Sequence, residues 1–97
     1  MNRTKNFNSV LSKKLTNPKF AAHYLIGLIE GKDGLPLEDA LKLMIEQMGV
    51  KEFSELVGKP SSNIVDFIKG KRHPKKETLN DYLKPFGLHA VFTVAAA

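Results

Sequence analysis

The chain has 97 residues, no cysteine and a formal charge of +5, with 42% apolar side chains. That suffices for one domain with a single core, and the missing thiols exclude disulfides, thiolate catalysis and zinc–thiolate sites. No apolar run is long enough for a membrane span, and the basic start has no apolar stretch behind it, so no secretory signal is expected. The charge is unevenly spread. Residues 1–20 hold five basic and no acidic side chains, residues 21–50 two basic and five acidic, and residues 51–77 seven basic and four acidic. A basic chain with an acidic middle docks polyanions at its basic parts, and it equally describes a lysine-rich solvated surface.

In chain order, residues 1–7 are polar and basic and read as a flexible arm. Residues 8–97 read as one domain. Asn8–Leu15 is a short helix with Val10, Leu11 and Leu15 on a loose apolar face. Asn17-Pro18 starts the next helix, because asparagine caps and proline suits the first helical position. Phe20, Tyr24, Leu25, Leu28 and Ile29 follow at helical spacing, and Gly31 stops the helix.

Asp33-Gly34 is a turn. The helix after Leu35-Pro36 buries Leu37, Ala40, Leu41, Met44 and Met48, with Glu38 and Asp39 in the first turn where the dipole favours anions. Gly49 ends it. Two short helices follow, Val50–Val57 and about Ser61–Lys69, separated by Gly58-Lys59-Pro60. After the basic loop Gly70–Pro74, a helix from about Lys75 to Phe86 buries Leu79, Tyr82, Leu83 and Phe86, and Pro85 kinks or ends it. The tail then changes period. Leu88, Ala90, Phe92 and Val94 alternate with their neighbours at strand spacing. A lone strand cannot satisfy its own backbone groups. The simplest partner is the same strand of a second copy, making Leu88, Ala90, Phe92 and Val94 a dimer interface; pairing with the N-terminal arm, or an unpaired tail, are the alternatives. The expected fold is mainly α: a compact bundle of about five helices with a short C-terminal β-strand.

The stretch from Val50 to Lys69 carries the functional signal. Two short helices that cross steeply need a small residue in the first, a turn-tolerant residue between, and an apolar lock in the second. Ser54, Gly58 and Ile64 supply these, at offsets of four and six residues, which is the spacing of a DNA-binding helix-turn-helix. The second helix, over Pro60–Lys69, is the expected reading helix. Ser61, Ser62, Asn63, Asp66 and Lys69 form its polar face. Asparagine pairs bidentately with adenine, serine donates to base or phosphate, and Asp66 can accept from cytosine N4. Five of the eight residues from Lys69 to Lys76 are basic. Lys59, Lys71, Arg72, Lys75 and Lys76 are therefore expected on phosphates, as sequence-blind, salt-sensitive contacts.

No catalytic constellation stands beside this. His23, His73 and His89 lack partners at metal-ligand spacing. Glu38 and Asp39 are adjacent and point about 100° apart on a helix, a poor acid/base pair. No glycine-rich phosphate loop or nucleophile motif occurs. A non-enzyme without cofactor or metal is expected.

Tyr24-Leu25, Glu38-Asp39-Ala40-Leu41, Met48-Gly49-Val50, the Phe53-Ser54, Gly58 and Asn63-Ile64 core, and the ending Leu83, Phe86-Gly87-Leu88 resemble the addiction-module antidote (antitoxin) family, a branch of the Cro-repressor-type (XRE) helix-turn-helix proteins. The resemblance runs from about Phe20 to Val94. It implies a cytoplasmic bacterial protein, nucleoid-associated and dimeric, that represses its own operon and neutralises a ribonuclease-type toxin. By position, Ser61, Ser62, Asn63 and Asp66 would face the operator. Lys59 stands where the family has an apolar residue and Pro60 where it has a capping serine. The reading helix then starts one residue late, with Ser61 as its cap. A toxin would meet either the basic arm or the acidic faces around Glu30, Asp33, Glu38, Asp39 and Glu46. A stand-alone phage- or plasmid-type regulator, and an interaction adaptor whose helix-turn-helix no longer binds DNA, are the competing readings.

Overall fold

The computed structural model describes residues 10–32 and 34–91. It is mainly helical. Helical turns over residues 10–15 (α1) lead into α2 (Pro18–Glu30), α3 (Leu37–Met48), α4 (Val50–Val57), α5 (Ser61–Ile68) and α6 (Lys76–Leu83), and a single 3-10 turn, Lys84–Phe86, closes the sequence of elements.

The local signals act as the chemistry demands. The Asn17 side chain accepts from the amides of Lys19 and Phe20 at 2.9 and 3.2 Å, with Pro18 at the first helical position of α2. One residue, Gly49, joins α3 to α4. Its φ of 115° is closed to other residues without strain, so the chain turns between two helices without a loop. Pro85 ends α6 as expected: the α-helix stops at Leu83 and tightens into the 3-10 turn.

The helices bury one continuous core. Ala21 and Leu25 of α2 meet Ala40, Leu41, Met44, Ile45 and Met48 of α3, and Leu15 of α1 joins them. The Ser12 hydroxyl donates to the Met48 carbonyl at 2.6 Å, tying α1 to the end of α3. Below α4 and α5 the core is aromatic. The Phe53 ring lies 5.5 Å from Tyr82, edge to face, and 6.2 Å from Phe86, stacked; Phe67 lies 5.4 Å from Tyr82. Such pairs add about 0.5–1.5 kcal/mol each beyond burial. The α4–α5 pair therefore rests on α6 through rings.

The expected C-terminal strand is not found among the described residues. Residues 88–91 are irregular. The alternation is real but serves the chain's own core: Ala90 is buried and Leu88 half-buried, while His89 and Val91 face outward. The backbone finds partners locally. The Leu88 amide donates to the Leu83 carbonyl at 3.2 Å, and the Ala90 amide to the Asn80 side chain at 2.7 Å. Leu88 and Ala90, expected to face a second copy, turn inward instead. Phe92 and Val94 lie outside the described residues, as do the arm over residues 1–7 and Asp33.

Candidate nucleic-acid interface

α4 and α5 form the expected pair. α4 ends at Gly58, whose left-handed backbone (φ 68°, ψ 32°) lets the Gly58 and Lys59 amides both donate to the Ser54 carbonyl, at 2.9 and 3.2 Å. The chain then reverses through Pro60 into α5. Ile64 and Phe67 of α5 are fully buried against Phe53 of α4, and Val57 and Ile68 pack at the edge of that core. Ser54 sits at the crossing, half-buried, and receives a hydrogen bond from the Ser61 hydroxyl. A larger residue at Ser54 would hold the helices apart.

The start of α5 differs from the expectation. Pro60 is the N-cap residue, offering only its carbonyl, which accepts from the Asn63 and Ile64 amides. Ser61 is the first helical residue and not the cap. Its hydroxyl points across to α4, which takes it away from the role of free groove-reader.

Of the expected reading residues, Ser62 and Lys69 are exposed, and Asn63 and Asp66 are half-buried on one side of α5, one turn apart. The loop after α5 folds back on the helix: the Lys71 amide donates to the Asp66 carbonyl at 2.9 Å and the Gly70 amide to that of Phe67 at 3.1 Å. This return carries Arg72 towards Asp66, with guanidinium and carboxylate 4.0 Å apart. Both groups are open to water, so the pair contributes about 0–1 kcal/mol at most. It nevertheless places a positive charge beside the one carboxylate on this face of α5.

Lys59 reaches the other way. Its Nζ donates to Asp81 Oδ2 of α6 at 3.1 Å, bracing the turn against the next helix. Between these two pairs runs a groove of about 350 Å³, lined by Lys59, Asn63, Arg72, Lys75, Thr78 and the ring of Tyr82, with His73 and Pro74 at its side. Lys71 and Lys75 are exposed on the loop. Lys76 is placed elsewhere: it lines a separate groove with Glu38, Asp39 and Leu79, beside the acidic start of α3. The structure thus brings Lys59, Asn63, Arg72 and Lys75 together, sets Ser62 and Lys69 on the open helix surface, and draws Ser61 and Lys76 away.

Thr78, Asp81 and Tyr82 were not marked in the sequence as part of this surface. Tyr82 reads as core from its spacing, and it is core: 1% exposed and packed between Phe53 and Phe67. Its choice over phenylalanine was the available signal, since a hydroxyl on a buried ring needs an outlet. Burial pushes the Tyr82 phenol above its ordinary pKa; the nearby Lys59 and Arg72 oppose this, and Asp81 adds to it.

Among the described residues no cluster of three or more His, Asp or Glu side chains could hold a metal ion. No described helix is long and apolar enough to cross a membrane. No protein-family model matches the chain, and no curated protein or solved structure matches it either.

Proposed function

We propose that this chain is a sequence-specific, double-stranded DNA-binding repressor that lays α5 in the major groove. One observation carries the reading: the α4–Gly58–α5 pair buries Ile64 and Phe67 on one side of α5 and presents Ser62, Asn63, Asp66 and Lys69 on the other, directly before a basic loop. In this reading Asn63 contacts a base edge, while Lys71, Arg72 and Lys75 contact phosphates. The test is fluorescence anisotropy with the duplex upstream of the protein's own reading frame. Affinity is expected to fall by two orders of magnitude or more between about 50 and 200 mM salt, as for several released counterions. A flat salt response would overturn the phosphate contacts.

Two finer parts belong to the same proposal. A groove-reading helix of this kind works on two half-sites, so the active form is a dimer. Light scattering giving the mass of one chain would remove this part. The second is the biological role. The resemblance to the antidote family supports an antitoxin that represses its own operon, with the acidic side chains Glu30, Glu38, Asp39 and Glu46 of α2 and α3 as the surface for a basic ribonuclease-type partner. Co-purification with the product of an adjacent short reading frame tests it. The absence of any such neighbour would favour a stand-alone regulator.

A further inference from the structure

The groove between α5 and α6 has the features of a built anion site. Two of its cations lie beside carboxylates: Lys59 Nζ is 3.1 Å from Asp81, and the Arg72 guanidinium 4.0 Å from Asp66. Both line the groove with Asn63, Lys75 and Thr78. Tyr82 lines the groove and is 1% exposed, yet among the described residues its hydroxyl makes no hydrogen bond. No buried side-chain oxygen or nitrogen of the described residues lacks a partner. The Tyr82 hydroxyl is therefore the part of that side chain that opens to the groove. Lys59 and Arg72 favour the charged form of this phenol, against the larger effect of burial and the opposing charge of Asp81. An ordinary phenol is already protonated at neutral pH, and burial raises its pKa further, so the hydroxyl is a donor.

We infer that this groove is a phosphate subsite, in which the Tyr82 hydroxyl donates to a phosphate oxygen and Lys59 and Arg72 supply the charge. The inference rests on the DNA-binding reading for the source of the phosphate, which is a phosphodiester of the duplex backbone beside the groove entered by α5. It changes the roles of two residues. Tyr82 becomes a ligand-binding side chain as well as a core ring, and Asp81 and Asp66 become positioning residues that aim the cations. A free phosphate ion has the same chemistry, so the source must be separated by experiment.

The test uses the full chain and duplexes selected by the wild-type protein from a randomised pool. Tyr82→Phe keeps the ring packing and removes only the donor. It should weaken binding roughly tenfold or more on every duplex alike, as expected for a hydrogen bond to a charged group, and leave the salt slope unchanged. Lys59→Gln and Arg72→Gln should each lower that slope by about one. They carry the test if Tyr82→Phe lowers the melting temperature. A Tyr82→Phe protein that is folded and binds within twofold of wild type overturns the subsite, as do unchanged slopes for both glutamine variants. The DNA reading then stands on the wild-type binding alone. NMR titration separates the sources. Signals of Tyr82 and Arg72 that move with inorganic phosphate alone assign the site to the free ion; movement only with duplex assigns it to the backbone; movement with neither overturns it. Wild-type protein that ignores every duplex but shifts with inorganic phosphate removes the DNA reading and keeps the anion site.

Discussion

The hydroxyl of Ser61 donates to that of Ser54 at 3.2 Å, joining the first residue of α5 to α4. Two small side chains seven residues apart thus meet between α4 and α5. Ser54→Leu should destabilise the fold by about 1–3 kcal/mol through overpacking, with a larger loss of DNA affinity because α5 is pushed off its angle. Ser61→Ala removes only an exposed hydrogen bond and should cost about 1 kcal/mol or less. Urea midpoints of the two variants at constant m-value check this ordering; equal midpoints would contradict it.

Gly58 turns the chain with φ 68°, and a Cβ built there would meet nothing within 4 Å. The position is open in space but closed in backbone conformation. Gly58→Ala should therefore cost about 1–2 kcal/mol from the left-handed backbone alone. Gly58→Asn should cost less, since asparagine visits this region readily. A thermal melt series of the three proteins gives the order directly.

Asn80 holds the C-terminal segment by accepting the Ala90 amide at 2.7 Å in a partly buried place. Asn80→Ala should cost about 1–3 kcal/mol, because it strands a buried donor. Hydrogen exchange at the Ala90 amide should accelerate more than at Leu83, whose amide lies within α6. Equal acceleration at both would mean that the residue acts on global stability only.

Burial raises the Tyr82 phenol, with Lys59 and Arg72 partly opposing the effect. A folded-state pKa above the unfolded one means that the folded protein holds the proton more tightly. The resulting stability is complete below the ordinary tyrosine value near 10 and is lost as pH rises through the folded value. Urea midpoints should therefore fall above about pH 10, and the wild type should fall further than Tyr82→Phe. Tyr24 is raised by burial as well, so Tyr24→Phe should remove a further part of the slope. Parallel curves for all three proteins would contradict the assignment.

Much of the fold is legible in the sequence because its signals are local. Asn17 caps α2 by accepting from the amides two and three residues on, Gly58 bends its own backbone, and Ile64 locks from within α5. The segment 88–91 was misread for the opposite reason. Period-two burial of Leu88 and Ala90 looks the same whether a strand partner or the chain's own core receives the side chains. Only the tertiary placement of Asn80, ten residues back, decides it. The site shows the same division. Asn63 and the basic loop stand out by type and spacing, whereas the Lys59–Asp81 brace and the Tyr82 hydroxyl arise from residues more than twenty apart brought together by the aromatic packing of α4, α5 and α6. Ser61 reads as a cap because its capping chemistry is genuine, but Pro60 occupies that position.

The most direct test of α5 as a reading helix is selection of duplexes from a randomised pool by three proteins: wild type, Asn63→Ala and the double variant Lys71→Ala/Arg72→Ala. Wild type should enrich one motif. The double variant should enrich the same motif with weaker binding, because phosphate contacts are blind to sequence. Asn63→Ala should lose preference at one base pair per half-site, worth about 1–3 kcal/mol of discrimination. No motif with wild type, or the same change of motif in both variants, would contradict DNA reading by α5.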